Sequence, residues 1–147
     1  RTLNSWLASF LAILANNFAP LSKALCVQGA MEKFRVRPGH KSKGLLIEFW
    51  GDHRSEDYPN IQKILEVGLS AKPKKHPSLD IVSIGLATDE FISLWEYANG
   101  VYELDDDIWA YFIMATDNNA QVVSDIEQVL LKSGEFVKEE ADFSKYT

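Results

Sequence analysis

The chain has 147 residues, of which 46% are hydrophobic, and its 15 Lys and Arg against 21 Asp and Glu give a formal charge of −6. This length suits a single domain over residues 1–147, and the apolar fraction excludes a disordered chain. The acidic total disfavours a protein coated in positive charge for nucleic acid. It also hides a split: residues 1–75 hold 12 cations and 6 anions, and residues 76–147 hold 3 and 15.

The first 25 residues predict a helix in two pieces. Leucine and phenylalanine recur at steps of three and four, which is the stripe of a helix packing one face inward, and Pro20 breaks the stripe. Residues 3–15 resemble the apolar part of a signal peptide, but Asn16 and Asn17 interrupt the run and no clean cleavage site follows. The run is also shorter than the roughly 20 apolar residues of a membrane span. We expect a core helix and no membrane contact.

Cysteine content indicates the compartment. The lone Cys26 cannot form an internal disulfide, so a secreted fold stapled by disulfides is excluded and a reducing, cytoplasmic setting is favoured. Its apolar neighbours in sequence predict a buried, inert thiol.

A basic hairpin is predicted next. Phe34 and Val36 alternate with Lys33, Arg35 and Arg37, so a strand here places three cations on one face and the apolar pair on the other. Residues 45–50 form an apolar run typical of a strand buried on both faces. The two strands are expected to pair antiparallel across a loop, which makes residues 33–43 the main cationic feature of the chain.

The middle of the chain predicts shorter elements. After Pro59, a helix is expected with Ile61, Ile64 and Leu65 facing inward and a stop at Gly68. Residues 72–77 hold two prolines around charged side chains, and we expect a solvated loop there. Residues 79–84 predict a further strand.

Residues 91–115 admit a helix or a hairpin. Asn99-Gly100 between aromatic and β-branched runs favours the hairpin, since a two-residue type I′ turn needs positive φ at both positions. That turn would place Glu96 directly opposite Glu103, a repulsive pair that a cationic partner would relieve. Residues 105–107 are expected to turn into a strand over 108–114.

The predicted fold is α+β: a single domain with a mostly antiparallel twisted sheet, on which an N-terminal broken helix and a C-terminal helix pack. The C-terminal helix follows Asn118 or Asn119, ends at Gly134 and has an apolar face. Residues 135–142 form either a last strand or an acidic tail.

Catalytic motifs are absent from the sequence, which contains no P-loop, GxGxxG, GxSxG or HExxH pattern. We therefore predict no catalytic residues and favour a binding protein over an enzyme. Asp105, Asp106 and Asp107 are consecutive and lack the alternation, glycine and glutamate of a calcium loop, so we expect neither a metal nor a cofactor.

The predicted function is binding of a basic protein partner. Acidic side chains would steer the partner and aromatic side chains would anchor it. The predicted partner-binding residues are Glu96, Glu103, Asp105, Asp106, Asp107, Trp95, Tyr97, Tyr102 and Trp109. In type, a small acidic cytoplasmic domain of this kind resembles the immunity proteins that neutralise bacterial toxins, commonly basic nucleases, although no motif carries that likeness.

An alternative function uses the opposite charge. Residues 33–43 could bind a phosphorylated or nucleic-acid ligand, with His53 as acid or base. With Asp52, Glu56 and Asp57, His53 could also make an acid/base or metal cluster directly after a buried strand, although a solvated turn is the expected structure of this segment. The acidic total makes nucleic acid the less expected partner.

Overall fold

Seven β-strands and two α-helices form the described part of this computed structural model, which covers residues 30–40, 44–77 and 88–146. The strands are β1 Glu32–Pro38, β2 Leu45–Phe49, β3 Lys72–Lys74, β4 Phe91–Tyr97, β5 Gly100–Asp106, β6 Tyr111–Met114 and β7 Phe136–Lys138. The helices are α1 Ile61–Leu69 and α2 Asn119–Ser133, and a 3₁₀ turn follows at Phe143–Tyr146.

The strands form one mixed sheet in the order β3-β4-β5-β6-β2-β1-β7. Neighbouring strands pair antiparallel except β1 and β7, which pair parallel. The predicted α+β class with a mostly antiparallel sheet is confirmed. From Met31 onward the chain forms one compact unit, while a single domain over residues 1–147 stays a prediction.

The core lies between the helices and one face of the sheet. Helix α2 contributes Val122, Val123, Ile126 and Leu130, all buried, which confirms a C-terminal helix packed on the sheet. It ends at Gly134, whose left-handed backbone suits glycine. The strands meet α2 with alternate residues. The strand side chains in this core are Phe34, Val36, Ile47, Phe49, Trp95, Tyr102, Leu104, Ile113 and Phe136.

The β1–β2 hairpin has its predicted faces. Arg35 and Arg37 lie away from the core and both donate to the same oxygen of Glu48, at 2.6 and 2.8 Å. Burial alone would raise the pKa of Glu48, but these hydrogen bonds outweigh burial and leave the pKa below its usual value. The Tyr146 ring lies 5.9 and 5.2 Å from the two guanidinium groups. The two guanidinium groups therefore share one carboxylate within the fold.

One predicted loop is a strand. We expected residues 72–77 to be a solvated loop, but Lys72–Lys74 form β3 and pair with β4. Pro73 is tolerated because β3 lies at the edge of the described sheet, where a strand needs hydrogen bonds on one side only. The predicted helix over residues 3–25, the strand over 79–84, and Lys41 and Lys43 lie outside the described residues.

The β4–β5 hairpin is confirmed, but its predicted pairing is wrong. The turn lies at Ala98 and Asn99, one residue early, so Glu96 faces Val101 and Glu103 faces Leu94. Gly100 does not adopt positive φ. Its role is close packing, since a Cβ there would lie 2.7 Å from a Val122 methyl. Ala98 and Asn99 also lack positive φ, so the turn is not type I′, and Gly100 instead allows helix α2 to pack close beside it.

The run of three aspartates also differs from expectation. We predicted a turn over residues 105–107, whereas β5 continues through Asp106 and the turn spans residues 107–110. The next strand consequently begins at Tyr111 instead of Ile108. Asp105 and Asp106 thus lie on opposite faces of the sheet.

Close contact between α1 and α2 depends on Gly68, because an added Cβ would clash with the Val129 side chain. We expect Gly68→Ala to force the two helices apart and to lower the free energy of unfolding by about 1–3 kcal/mol. Urea denaturation measures this change. Gln62→Ala, on an exposed position of α1, should stay within about 0.5 kcal/mol; equal stability of the two variants would contradict the tight contact.

Candidate functional site: the acidic loop end

Three loops meet at one end of the sheet. Phe91 at the start of β4 pairs with Asp106, Asp106 pairs with Tyr111, and Tyr111 pairs with Phe49 at the end of β2. The segments that adjoin these strand ends therefore lie side by side. We call residues 50–60, 88–90 and 106–110 together the acidic loop end.

The acidic loop end carries the net charge of the whole chain. Its three segments hold seven carboxylates and one arginine, a formal charge of −6 with His53 neutral. The other residues hold 14 cations and 14 anions, so they are formally neutral. The acidic side chains are Asp52, Glu56, Asp57, Asp89, Glu90, Asp106 and Asp107.

Arg54 connects the three loops. Its guanidinium donates to the Asp106 carboxylate at 2.9 Å and to the Asp106 carbonyl at 3.1 Å. It also donates to the Asp89 carboxylate and carbonyl, both at 2.9 Å. The planar, five-donor guanidinium suits this bridging geometry, and its side chain is only 31% exposed. One cation thus holds two carboxylates in fixed positions.

His53 adds a second contact to the same carboxylate. Its Nε2 lies 3.0 Å from Asp106 Oδ1, and its ring packs edge-on against Tyr111 at 5.4 Å. The side chain is 7% exposed. The sequence makes Asp52, Glu56 and Asp57 candidate partners of His53 as an alternative to a solvated turn; the structure instead gives Asp106, and Asp52 accepts a hydrogen bond from the Arg54 amide.

Large apolar side chains lie exposed among these charges. Trp109 is 86% exposed, Phe91 51% and Ile108 45%. The turn that carries Trp109 is ordered by reciprocal backbone hydrogen bonds between Asp107 and Ala110, at 3.0 and 3.3 Å. Its amide also donates to the Asp107 carboxylate at 3.3 Å. An exposed indole in an ordered acidic turn is suited to contact with another molecule.

The structure separates the predicted partner-binding residues. Only Asp106, Asp107 and Trp109 belong to the acidic loop end. Trp95 and Tyr102 are core residues, 5% and 1% exposed, since the alternation of β4 and β5 turns both toward α2.

The remaining predicted residues lie elsewhere. Glu96 pairs with Lys74 at 3.1 Å, and Glu103 lies 3.7 Å from His76. Tyr97 is half-buried and donates its hydroxyl to Asp125. The expected acidic strand face is thus largely satisfied within the fold.

Asp105 is the most perturbed carboxylate. Its Oδ1 is buried and has no hydrogen-bond partner in the described residues. Burial raises its pKa to about 6, and the nearby charges of Glu90 and Glu103 add to the rise. Because side chains alternate along β5, this carboxyl lies on the sheet face opposite the core residues Tyr102 and Leu104, not beside Asp106.

Sequence reasoning missed Arg54, Asp89 and Phe91 as members of this site. Arg54 directly follows His53 in the turn-rich segment after β2, and this position was the one sign in the sequence that Arg54 belongs to the site. Asp89 and Phe91 could not be added from sequence, because their proximity depends on the strand order.

Metal and membrane features are not found in the described ranges. No group of three or more His, Cys, Asp or Glu side chains within them could hold a metal ion. None of the helices described is long and apolar enough to cross a membrane. Comparisons with protein-family models, with curated proteins and with solved structures gave no significant match to the chain.

Replacing Arg54 tests the connection between the loops. Arg54→Lys keeps the charge, but one ammonium cannot bridge Asp89 and Asp106, so we expect amide hydrogen exchange at Asp107 to accelerate by on the order of tenfold. Lys74→Met is the control, since it removes a single surface ion pair with Glu96. Unchanged protection of the Asp107 amide in Arg54→Lys would show that the loops hold together without the guanidinium.

Asp105 predicts a pH dependence of stability. Its folded pKa of about 6 lies above the unfolded value of about 3.9, so the folded state binds more protons between these values and loses stability as pH rises through them. We expect Asp105→Asn to have a higher Tm than the wild type at pH 7, with the difference shrinking toward pH 4. Thermal melts from pH 4 to 8 measure this, with Asp117→Asn on an exposed loop as control. A difference that does not vary with pH would contradict the perturbed carboxyl.

Proposed function

We propose that this protein binds a basic protein partner through the acidic loop end. The observation that carries the proposal is the concentration of the formal charge of −6 in three adjacent loops, against a neutral remainder. A negative surface attracts a positive partner over roughly a Debye length, about 8–10 Å at physiological salt, and this raises the association rate.

Affinity in this proposal comes from the exposed aromatic residues. Binding hot spots are enriched in tryptophan and are surrounded by polar groups that exclude water. Trp109 and Phe91 are exposed beside carboxylates that Arg54 holds in place. A preorganised surface loses less conformational entropy on binding, which favours tight association.

The finer proposal is neutralisation of a toxin. A basic nuclease-type bacterial toxin domain has the charge that the acidic loop end would attract, and a bound acidic protein would block its access to nucleic acid. In this proposal the protein acts as a cytoplasmic bacterial immunity protein. Its support is the placement of charge and exposed aromatic side chains.

The alternative, an enzyme or binding protein for an anionic ligand, has weaker support. Arg35 and Arg37 share Glu48, and Lys33 pairs with Glu139 at 2.8 Å. His53 contacts Asp106 in the acidic loop end. The three cations of β1 therefore face two carboxylates, which leaves a formal charge of only +1 for a phosphate.

Charge reversal tests the proposed surface. The protein is immobilised, its partner is captured from an extract of the native cell, and the association rate of the purified pair is measured at several salt concentrations. Glu56→Lys with Asp57→Lys changes two exposed carboxylates that make no contact with Arg54. We expect association at low salt to slow by about tenfold, with the effect fading at high salt.

Two further variants make the test specific. Glu96→Lys with Glu103→Lys changes the net charge by the same amount as the loop variant, but on the strand face. We expect this variant to associate with the partner much faster than the loop variant does. Trp109→Ala should accelerate dissociation and cost about 2 kcal/mol or more. A loop variant that captures partner as fast as the wild type would refute the proposal, and a loss confined to the strand-face variant would move the site to β4 and β5.

A further inference from the structure

A groove lies between the two helices, on the side of the molecule where α1 and α2 contact each other. It has a volume of about 910 Å³ and is flanked by α1, α2 and the β4–β5 turn. None of the residues that line it belongs to the acidic loop end. Its apolar lining consists of Ile64, Val67, Leu69, Ala98 and Val129.

The shape of the groove suits a third helix. α1 and α2 run antiparallel along it, since Gly68 lies against Val129, while Tyr58 just before α1 packs against Phe136 just after α2. The lining residues of α2 span 125–133, about 12 Å at 1.5 Å per residue. This length accommodates two turns of an amphipathic helix, which binds such grooves through apolar residues spaced by three and four. Val67 is 70% exposed and available to it.

The charge of the groove selects the helix. Asp125 lines it, but its oxygens already accept hydrogen bonds from Tyr97, Asn99 and Gln121, which lower its pKa. Lys132 makes no ion pair within the described residues. Lys63 has only a 3.5 Å contact with Glu66. Asp125 keeps its negative charge, but neighbouring donors already occupy its oxygens. The two ammonium groups and this one carboxylate give the lining a formal charge of +1, which favours an acidic ligand.

We propose that this groove binds an acidic amphipathic helix of a partner protein, with apolar residues against Val67 and Val129 and carboxylates against Lys63 and Lys132. The site is independent of the acidic loop end and has the opposite preference for charge. The protein would then hold two partners, or two parts of one partner, on chemically distinct surfaces.

Two matched peptides test the proposal. Each has about 16 residues and the same leucines, spaced by three and four to form one apolar face of a helix. The positions beside this face are glutamate in one peptide and lysine in the other. NMR titration of the isotope-labelled full chain at low salt should show shifts for residues 63–69 and 125–133 with the glutamate peptide. Its Kd should be lower than that of the lysine peptide for this groove by on the order of tenfold.

Variants connect the shifts to the groove. Val67→Asp should abolish binding of the glutamate peptide, and Lys63→Glu with Lys132→Glu should reverse the preference between the peptides. Val137→Asp, at a 38% exposed valine on β7, is the control and should bind as the wild type does. Absence of saturable shifts at these residues, equal affinity for both peptides, or binding of the glutamate peptide elsewhere would overturn the proposal.

Discussion

The contact between Gly100 and Val122 is the constraint on which the arrangement of the sheet depends. Helix α2 approaches the β4–β5 turn so closely that a side chain at residue 100 would not fit. Asp125 of the same helix accepts hydrogen bonds from Tyr97, the last residue of β4, and from Asn99 in the turn itself. The position of the helix therefore determines where the hairpin turns. The position of the turn then determines which residues of β4 and β5 lie opposite one another.

The acidic loop end follows from that pairing. With Phe91 opposite Asp106, Asp89 comes within reach of the guanidinium that also contacts Asp106. A pairing shifted by two residues would separate the two aspartates along the strands, by roughly 7 Å, and one arginine could no longer bridge them. Packing at one end of the hairpin thus fixes electrostatics at the other, where the charge of the molecule accumulates.

Much of the fold was predictable because the period of the hydrophobic residues shows which face of a strand or helix is buried. The alternation in β1, the stripe of α2 and the hairpin over residues 91–106 all follow from burial of one face. The register between β4 and β5 was not predictable. A shift of two residues leaves Trp95 and Tyr102 on the same face, so both registers bury the same hydrophobic side chains. Strand β3 was missed because its position at the edge removes the usual objection to Pro73. The candidate site was half predictable: Asp106, Asp107 and Trp109 are adjacent in sequence, whereas Arg54 and Asp89 join them only through the order of the strands.

The parallel pairing of β1 with β7 has a consequence for how the chain reaches its native state. Residue 32 pairs with residue 136, so the first described strand finds its outer neighbour only after the long segment between the two residues is in place. Until then, the exposed backbone edge of β1 can pair with another molecule and start aggregation. Gly134 joins α2 directly to β7. Packing of the apolar face of α2 on the sheet therefore brings β7 close to β1. Packing of the core and pairing of β7 with the free edge of β1 thereby occur in one late, long-range step. Such a step favours slow but cooperative folding.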